Sequence, residues 1–184
     1  MSNYIFSMNW IGPFCAVTRH DRSRIFNADL VTDTVAAFES RPIPLLITSP
    51  AFPEGGFLPL PYRSEGCNCN PPLQIVGIPS SARSLLVILE QPGAPLAPRT
   101  HWLCWDLPTN SHIQTREQNG TQGRNDFLHE GYTGPFLQKE IFRFTFLVYA
   151  LRYQLHLPPG ASRYQVEKLI ASAQLACGGL SCFA

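Results

Sequence analysis

The rhythm of apolar and polar positions changes several times along this chain, and each rhythm predicts an element. Leu85–Leu89 is an unbroken aliphatic run, the pattern of a strand covered on both faces. Pro92 and Pro95 flank Gly93 and Ala94, so that strand must give way to a rigid turn. Beyond the turn, a period of two puts His101, Leu103 and Trp105 on one face of a second strand and Cys104 on the other. The same alternation puts Phe142, Phe144 and Phe146 on one side of a later strand and Arg143 on the opposite side. Further strands are predicted at Leu45–Thr48 and near 57–60 and 73–77, completing a set with 84–90, 101–106 and 142–151. Ser162–Ala176 reads as a helix: Ser162 and Gln165 form a capping box, and Val166, Leu169, Ile170 and Ala173 make one apolar stripe. Gly178 and Gly179 are expected to stop it. Near the start, Val31, Val35 and Phe38 keep helical spacing behind Asn27 as a cap, with Pro42 and Pro44 ending that helix. The polar, glycine-containing stretch 109–130 is long for a loop in a compact domain and is expected to be functional or mobile.

Composition narrows the class. Charged residues make up 15% of the 184 positions, and 17 prolines with 13 glycines favour a loop-rich β body. A net charge of +1 gives no electrostatic case for nucleic acid. The N-terminal MSNYIFSMNWIGPFC lacks a basic leader and is interrupted by Asn3, Ser7 and Asn9, and no apolar run reaches membrane-spanning length. The expectation is a cytoplasmic protein without an integral membrane segment, its six cysteines reduced. Cys67-x-Cys69 and Cys177-x4-Cys182 lack the spacing of common zinc sites, so no metal is expected. No phosphate-cradling glycine loop, dinucleotide fingerprint or nucleophile elbow occurs, and no cofactor is expected.

One run of motifs resembles the phosphatidylethanolamine-binding protein family. Ser84–Pro108, SLLVILEQPGAPLAPRTHWLCWDLP, is similar to its D-P-D-A-P turn and T-H-W-type strand. Around it, LITSPAFPEGGFLPLPYRSEG (46–66) and NPPLQIVGIP (70–79) resemble earlier family segments. Gly123-Arg124-Asn125-Asp126 and Gly131-Tyr132-Thr133-Gly134-Pro135 resemble its G-x-N and G-Y-x-G-P elements, and FRFTFLVYAL (142–151) its H-R-Y strand. The resemblance implies a mainly β fold, an antiparallel β-sandwich with peripheral helices over residues 44–184, preceded by an extension over 1–43 packed on the domain. It also implies a surface pocket for an anionic head group. The departures fall inside that pocket: the two family acids lie at Gln91 and Gly93, the H-R-Y histidine at Phe142 and its tyrosine at Phe144. Only His101 keeps its type.

His101 is therefore the leading candidate for an acid, base or oxyanion donor, the alternative being a satisfied structural histidine. Arg143 is the second catalytic candidate. Arg99 and Arg143 either recruit a ligand carboxylate or pair with Glu90 or Asp106. Glu90 either replaces the missing acids or pairs with a base such as Arg143. Gln91, Pro92, Gly93, Ala94, Arg99, Trp105, Tyr132, Pro135, Phe142 and Phe144 complete the expected ligand-binding set. Some fungal proteins similar to the family assist cyclisation or coupling of polyketide-derived compounds, including maleic anhydrides. The first expectation is thus a pocket for a small hydrophobic acidic metabolite, assisting cofactor-free chemistry. A lipid-headgroup binder or a kinase or protease regulator is the alternative, and a homolog without ligand the third. Assembly as a homodimer is left open.

Overall fold

The computed structural model describes residues 43–92, 98–136 and 140–184. The N-terminal extension with its predicted helix, Cys15, and the turn residues Gly93 and Ala94 lie outside these. The described strands are β1 (Ile43–Pro44), β2 (Leu46–Thr48), β3 (Gly56–Phe57), β4 (Leu73–Val76), β5 (Ser84–Gln91), β6 (Arg99–Leu107), β7 (His112–Ile113), β8 (Thr121–Gln122), β9 (Arg143–Leu151) and β10 (Gln174–Phe183). One helix, α1 (Arg163–Ala173), enters β10 directly. A seven-stranded sheet runs β1-β10-β9-β5-β6-β8, with β3 also on β10, and β2-β4-β7 form a second, three-stranded sheet.

The fold is mainly β, as the sequence implies, but the antiparallel sandwich is corrected. Both β1 and β3 pair with β10 in parallel, so the large sheet is mixed, and α1 is the single α-helix among the described residues. The aliphatic run in β5 is buried along its whole length because it is a central strand, paired with β6 on one side and β9 on the other.

The large sheet carries a different core on each face. Leu85, Val87, Leu89, Trp102, Cys104, Phe144, Phe146 and Val148 meet Ile47, Leu73, Ile75 and Ile113 of the small sheet. On the opposite face Leu86, Ile88, Leu103, Trp105 and Tyr149 pack with Val166, Ile170 and Ala173 of α1. The apolar stripe of α1 is thus used as its spacing predicts. Its start is also as read: the Ser162 N–H donates to Gln165 Oε1 at 2.8 Å.

Its end is not. Gln174 turns to extended geometry (φ −67°, ψ 130°), and the chain continues as the longest strand among the described residues. Gly178 and Gly179 lie inside β10 and stop nothing. A Cβ at Gly178 would collide with the Leu45 carbonyl, so this glycine lets a neighbouring backbone approach rather than capping a helix. The stretch 109–130 also holds more order than its composition suggests. It contributes β7 and β8, and the Glu117 carboxylate accepts from the N–H groups of Gln114, Gln118 and Asn119. No helix among the described residues is long and apolar enough to cross a membrane.

Candidate functional site

The site begins with an irregularity in β6. Leu89 lies opposite Trp102 while Glu90 lies opposite Thr100, so His101 is the extra residue of a β-bulge. The bulge overturns the simple alternation of this strand. Leu103 and Trp105 face α1, whereas the His101 ring meets Phe144 on the face that also carries Trp102 and Cys104. Trp105, expected beside His101, is therefore on the other side of the sheet, and Cys104, expected opposite, shares His101's side. A thiol–imidazole nucleophile gains nothing from this, because burial and the nearby Glu117 charge push the Cys104 thiol up to about 12.

His101 has no exposed surface. Three phenyl rings surround it: Phe127 and Phe144 edge-on, with centroids at 4.8 and 5.1 Å, and Phe136 tilted at 5.9 Å. Nδ1 lies 2.9 Å from the Thr133 carbonyl oxygen. A carbonyl only accepts, so Nδ1 carries the hydrogen and Nε2 of the neutral ring carries the lone pair. Nε2 has no hydrogen-bond partner among the described residues. Burial, opposed by the Thr133 carbonyl and reinforced by the Arg99 charge, lowers the His101 pKa to about 4, with Asp126 and the Gly134 backbone acting the other way. The ring is neutral at pH 7.

A loop holds this arrangement. The Thr133 N–H donates to the His101 carbonyl at 2.9 Å. Asn125, buried, donates from Nδ2 to the Gly131 carbonyl and to Thr133 Oγ1, and its Oδ1 accepts from the N–H groups of Phe127 and His129. The Asp126 carboxylate accepts from the Thr100 N–H at 2.7 Å. One asparagine thus fixes both the carbonyl that sets the imidazole and the segment that carries Phe127.

The remaining sequence candidates divide. Gln91 is buried at the end of β5 and Arg99 lies opposite it, with the exposed Arg99 guanidinium 5.8 Å from the Phe127 ring centroid. Phe142 is half-buried against the same core, Pro135 is buried beside Thr133 and Phe136, and Pro92 ends β5 half-buried. Tyr132 turns elsewhere: its hydroxyl donates to the Tyr62 carbonyl, and its ring meets Trp102 at the wall of a separate surface pocket of about 470 Å³. Arg143 alternates away from Phe144 and is exposed, donating to Ser181 Oγ at 2.8 Å. Glu90 does not pair with Arg143. It is held by Arg163 of α1 at 2.7 Å, on the face opposite His101.

Thr133, Asn125, Phe127 and Phe136 were not among the sequence candidates. The G-x-N and G-Y-x-G-P motifs contain the first two and adjoin the others, so a signal was present, but a main-chain carbonyl and a cage of rings have no residue-type signature.

Comparison with known proteins is consistent over most of the described residues. The family model described as phosphatidylethanolamine-binding protein matches residues 48–182. The UPF0098 protein PH1269 of Pyrococcus horikoshii is 36% identical over 146 residues, covering 73% of this chain and 74% of its own. A Mycobacterium tuberculosis protein named as a lipoprotein, LppC, is 30% identical over 135 residues, 71% of this chain and 67% of its own. Among solved structures, a phosphatidylethanolamine-binding protein homolog from Chlamydia trachomatis superposes with a TM-score of 0.72 at 27% identity, over 77% of this chain and 97% of that one. YbcL of Escherichia coli shares the fold, with a TM-score of 0.68 at 23% identity over 76% and 96%.

Proposed function

This chain belongs to the phosphatidylethanolamine-binding protein family, and from that premise we propose that it binds a small, ring-bearing apolar metabolite at His101 rather than a phosphoryl head group. The observation that carries the reading is the neutral imidazole caged by Phe127, Phe136 and Phe144, with Nε2 free of any described partner. An apolar guest gains about 25 cal/mol for each Å² it removes from water against Phe127 and Phe136, the two rings that are only half-buried. An unpartnered polar atom inside the cage supplies orientation. A phosphate would lose its hydration for a site whose histidine is uncharged and surrounded by phenyl rings.

The finer reading is an acid- or anhydride-type metabolite of polyketide origin, held for cofactor-free cyclisation or coupling. It is supported by the aromatic replacements and by the resemblance drawn from the sequence. The chemistry open to the chain is positioning, where well-placed reactants save about 7–11 kcal/mol of barrier, together with a lone pair on Nε2 that holds a proton only weakly. The cytoplasm is proposed as its compartment, since Cys67, Cys69, Cys104 and Cys182 form no disulfide.

The test is a thermal-shift and crystal-soaking series with aromatic alcohols, aromatic acids and phosphoethanolamine. Density for an aromatic guest against His101, with the shift lost in His101→Leu, is the expected result. Phosphoethanolamine stabilising the protein as strongly as the aromatic compounds would remove the reading.

A further inference from the structure

We infer that this site is a hydrogen-bond acceptor: its guest is a compound that brings its own O–H group (a phenol, an alcohol or an un-ionised carboxylic acid) and donates to His101 Nε2. The inference rests on the His101-centred reading above and narrows its ligand class.

The argument is one of proton count. Nδ1 donates to the Thr133 carbonyl at 2.9 Å, and a neutral imidazole has only one N–H. That carbonyl cannot readily turn away. Its own residue is bonded back to the His101 carbonyl through the Thr133 N–H, and its hydroxyl accepts from Asn125 at 2.8 Å. Moving the proton to Nε2 would set the Nδ1 lone pair against the carbonyl oxygen and forfeit the bond. Adding a second proton would place a cation inside three phenyl rings. The charged groups that act on His101 are Arg99, which opposes that cation, and Asp126, which is exposed and has one oxygen already accepting from the Thr100 N–H. Nε2 therefore presents a lone pair, and an oxyanion placed there would meet it lone pair to lone pair. An anhydride or ether has no hydrogen to give. Of the acid-or-anhydride class, the inference selects the acid in its protonated form. Thr133 is the positioning residue, acting through the tautomer.

A matched set of ligands separates these cases: 4-methylphenol, 4-methylanisole and 4-methylbenzoate, titrated into the full chain with 15N-labelled histidine at pH 6 and pH 8. The expected result is Nδ1–H in the free protein at both values, with methylphenol shifting Nε2 and binding about tenfold more tightly than methylanisole. Methylbenzoate should weaken about tenfold for each pH unit above its carboxyl pKa, since it must bring a proton with it. Methylbenzoate binding at pH 8 as tightly as at pH 6, or a proton found on Nε2, overturns the inference and leaves the aromatic site standing. No response from any of the three, or an equal preference for methylphenol in His101→Leu, overturns the functional reading and the inference with it.

Discussion

The two faces of the large sheet bury an ionisable group in opposite ways. Under α1, Glu90 is met by Arg163 at 2.7 Å, which in turn reaches Glu167 at 2.6 Å. Burial works against the Arg163 guanidinium, but the two carboxylates more than offset it and raise its pKa. On the other face His101 has no ion-pair partner among the described residues and gives up its own charge. Both solutions meet the cost of placing charge in a low-dielectric interior, one by pairing and one by neutrality. They teach different things about function. The charge of the carboxylate is answered from within the protein by Arg163, whereas the neutral ring is left with one unused acceptor and no ion-pair partner. The two groups lie on adjoining strands at one end of the sheet, and the bulge at His101 is what separates them onto opposite sides.

The comparison breaks most visibly if the pair is cut. Arg163→Ala leaves Glu90 buried without a partner, and the expected loss is about 3–5 kcal/mol in urea unfolding, with much of it regained when Glu90→Leu is added. A loss under about 1 kcal/mol would mean that water reaches Glu90 and that this face is not dry.

The neutral side should show itself in pH. His101 ionises with a pKa of about 4 in the folded protein against 6.5 for the free side chain. Between those values the unfolded chain binds more protons, so this histidine's contribution is complete above pH 6.5 and is lost as pH falls towards 4. The full effect is on the order of 3 kcal/mol at one pKa unit per 1.36 kcal/mol. It is read as the difference between wild type and His101→Leu in denaturant midpoints from pH 4 to 7. Parallel profiles would show that the ring is solvated.

A smaller effect sharpens the geometry. Asn125→Ala removes the bonds that hold Thr133 and Phe127, at an expected cost of about 2 kcal/mol. Hydrogen exchange should rise at the Phe127 and His129 amides before any change under α1. Equal loosening of both faces would contradict a locally organised site.

Much of the fold is readable from particular residues. Leu85–Leu89 reads as a central strand, Ser162 with Gln165 and the Val166–Ile170 stripe read as α1, and the ordered motifs from Leu46 to Leu151 point to the family. Two-residue strands such as β7 and β8 have no periodicity to detect. β10 is hidden because Gly178 and Gly179 look like a helix stop until the Leu45 carbonyl is seen against Gly178. At the site, His101 is legible by position and Phe144 by alternation, while Asn125 and Thr133 act through main-chain groups that every residue possesses.

The sequence by itself determined which segments are apolar on one side, which on both, and which family pocket residues had been replaced, because those properties belong to residue types and their spacing. Tertiary structure decided where His101 points, which cation answers Glu90, and which imidazole nitrogen carries the hydrogen. Those depend on one extra residue in a strand register and on a carbonyl delivered from a distant loop, and strand pairing sets both only once the chain has closed on itself.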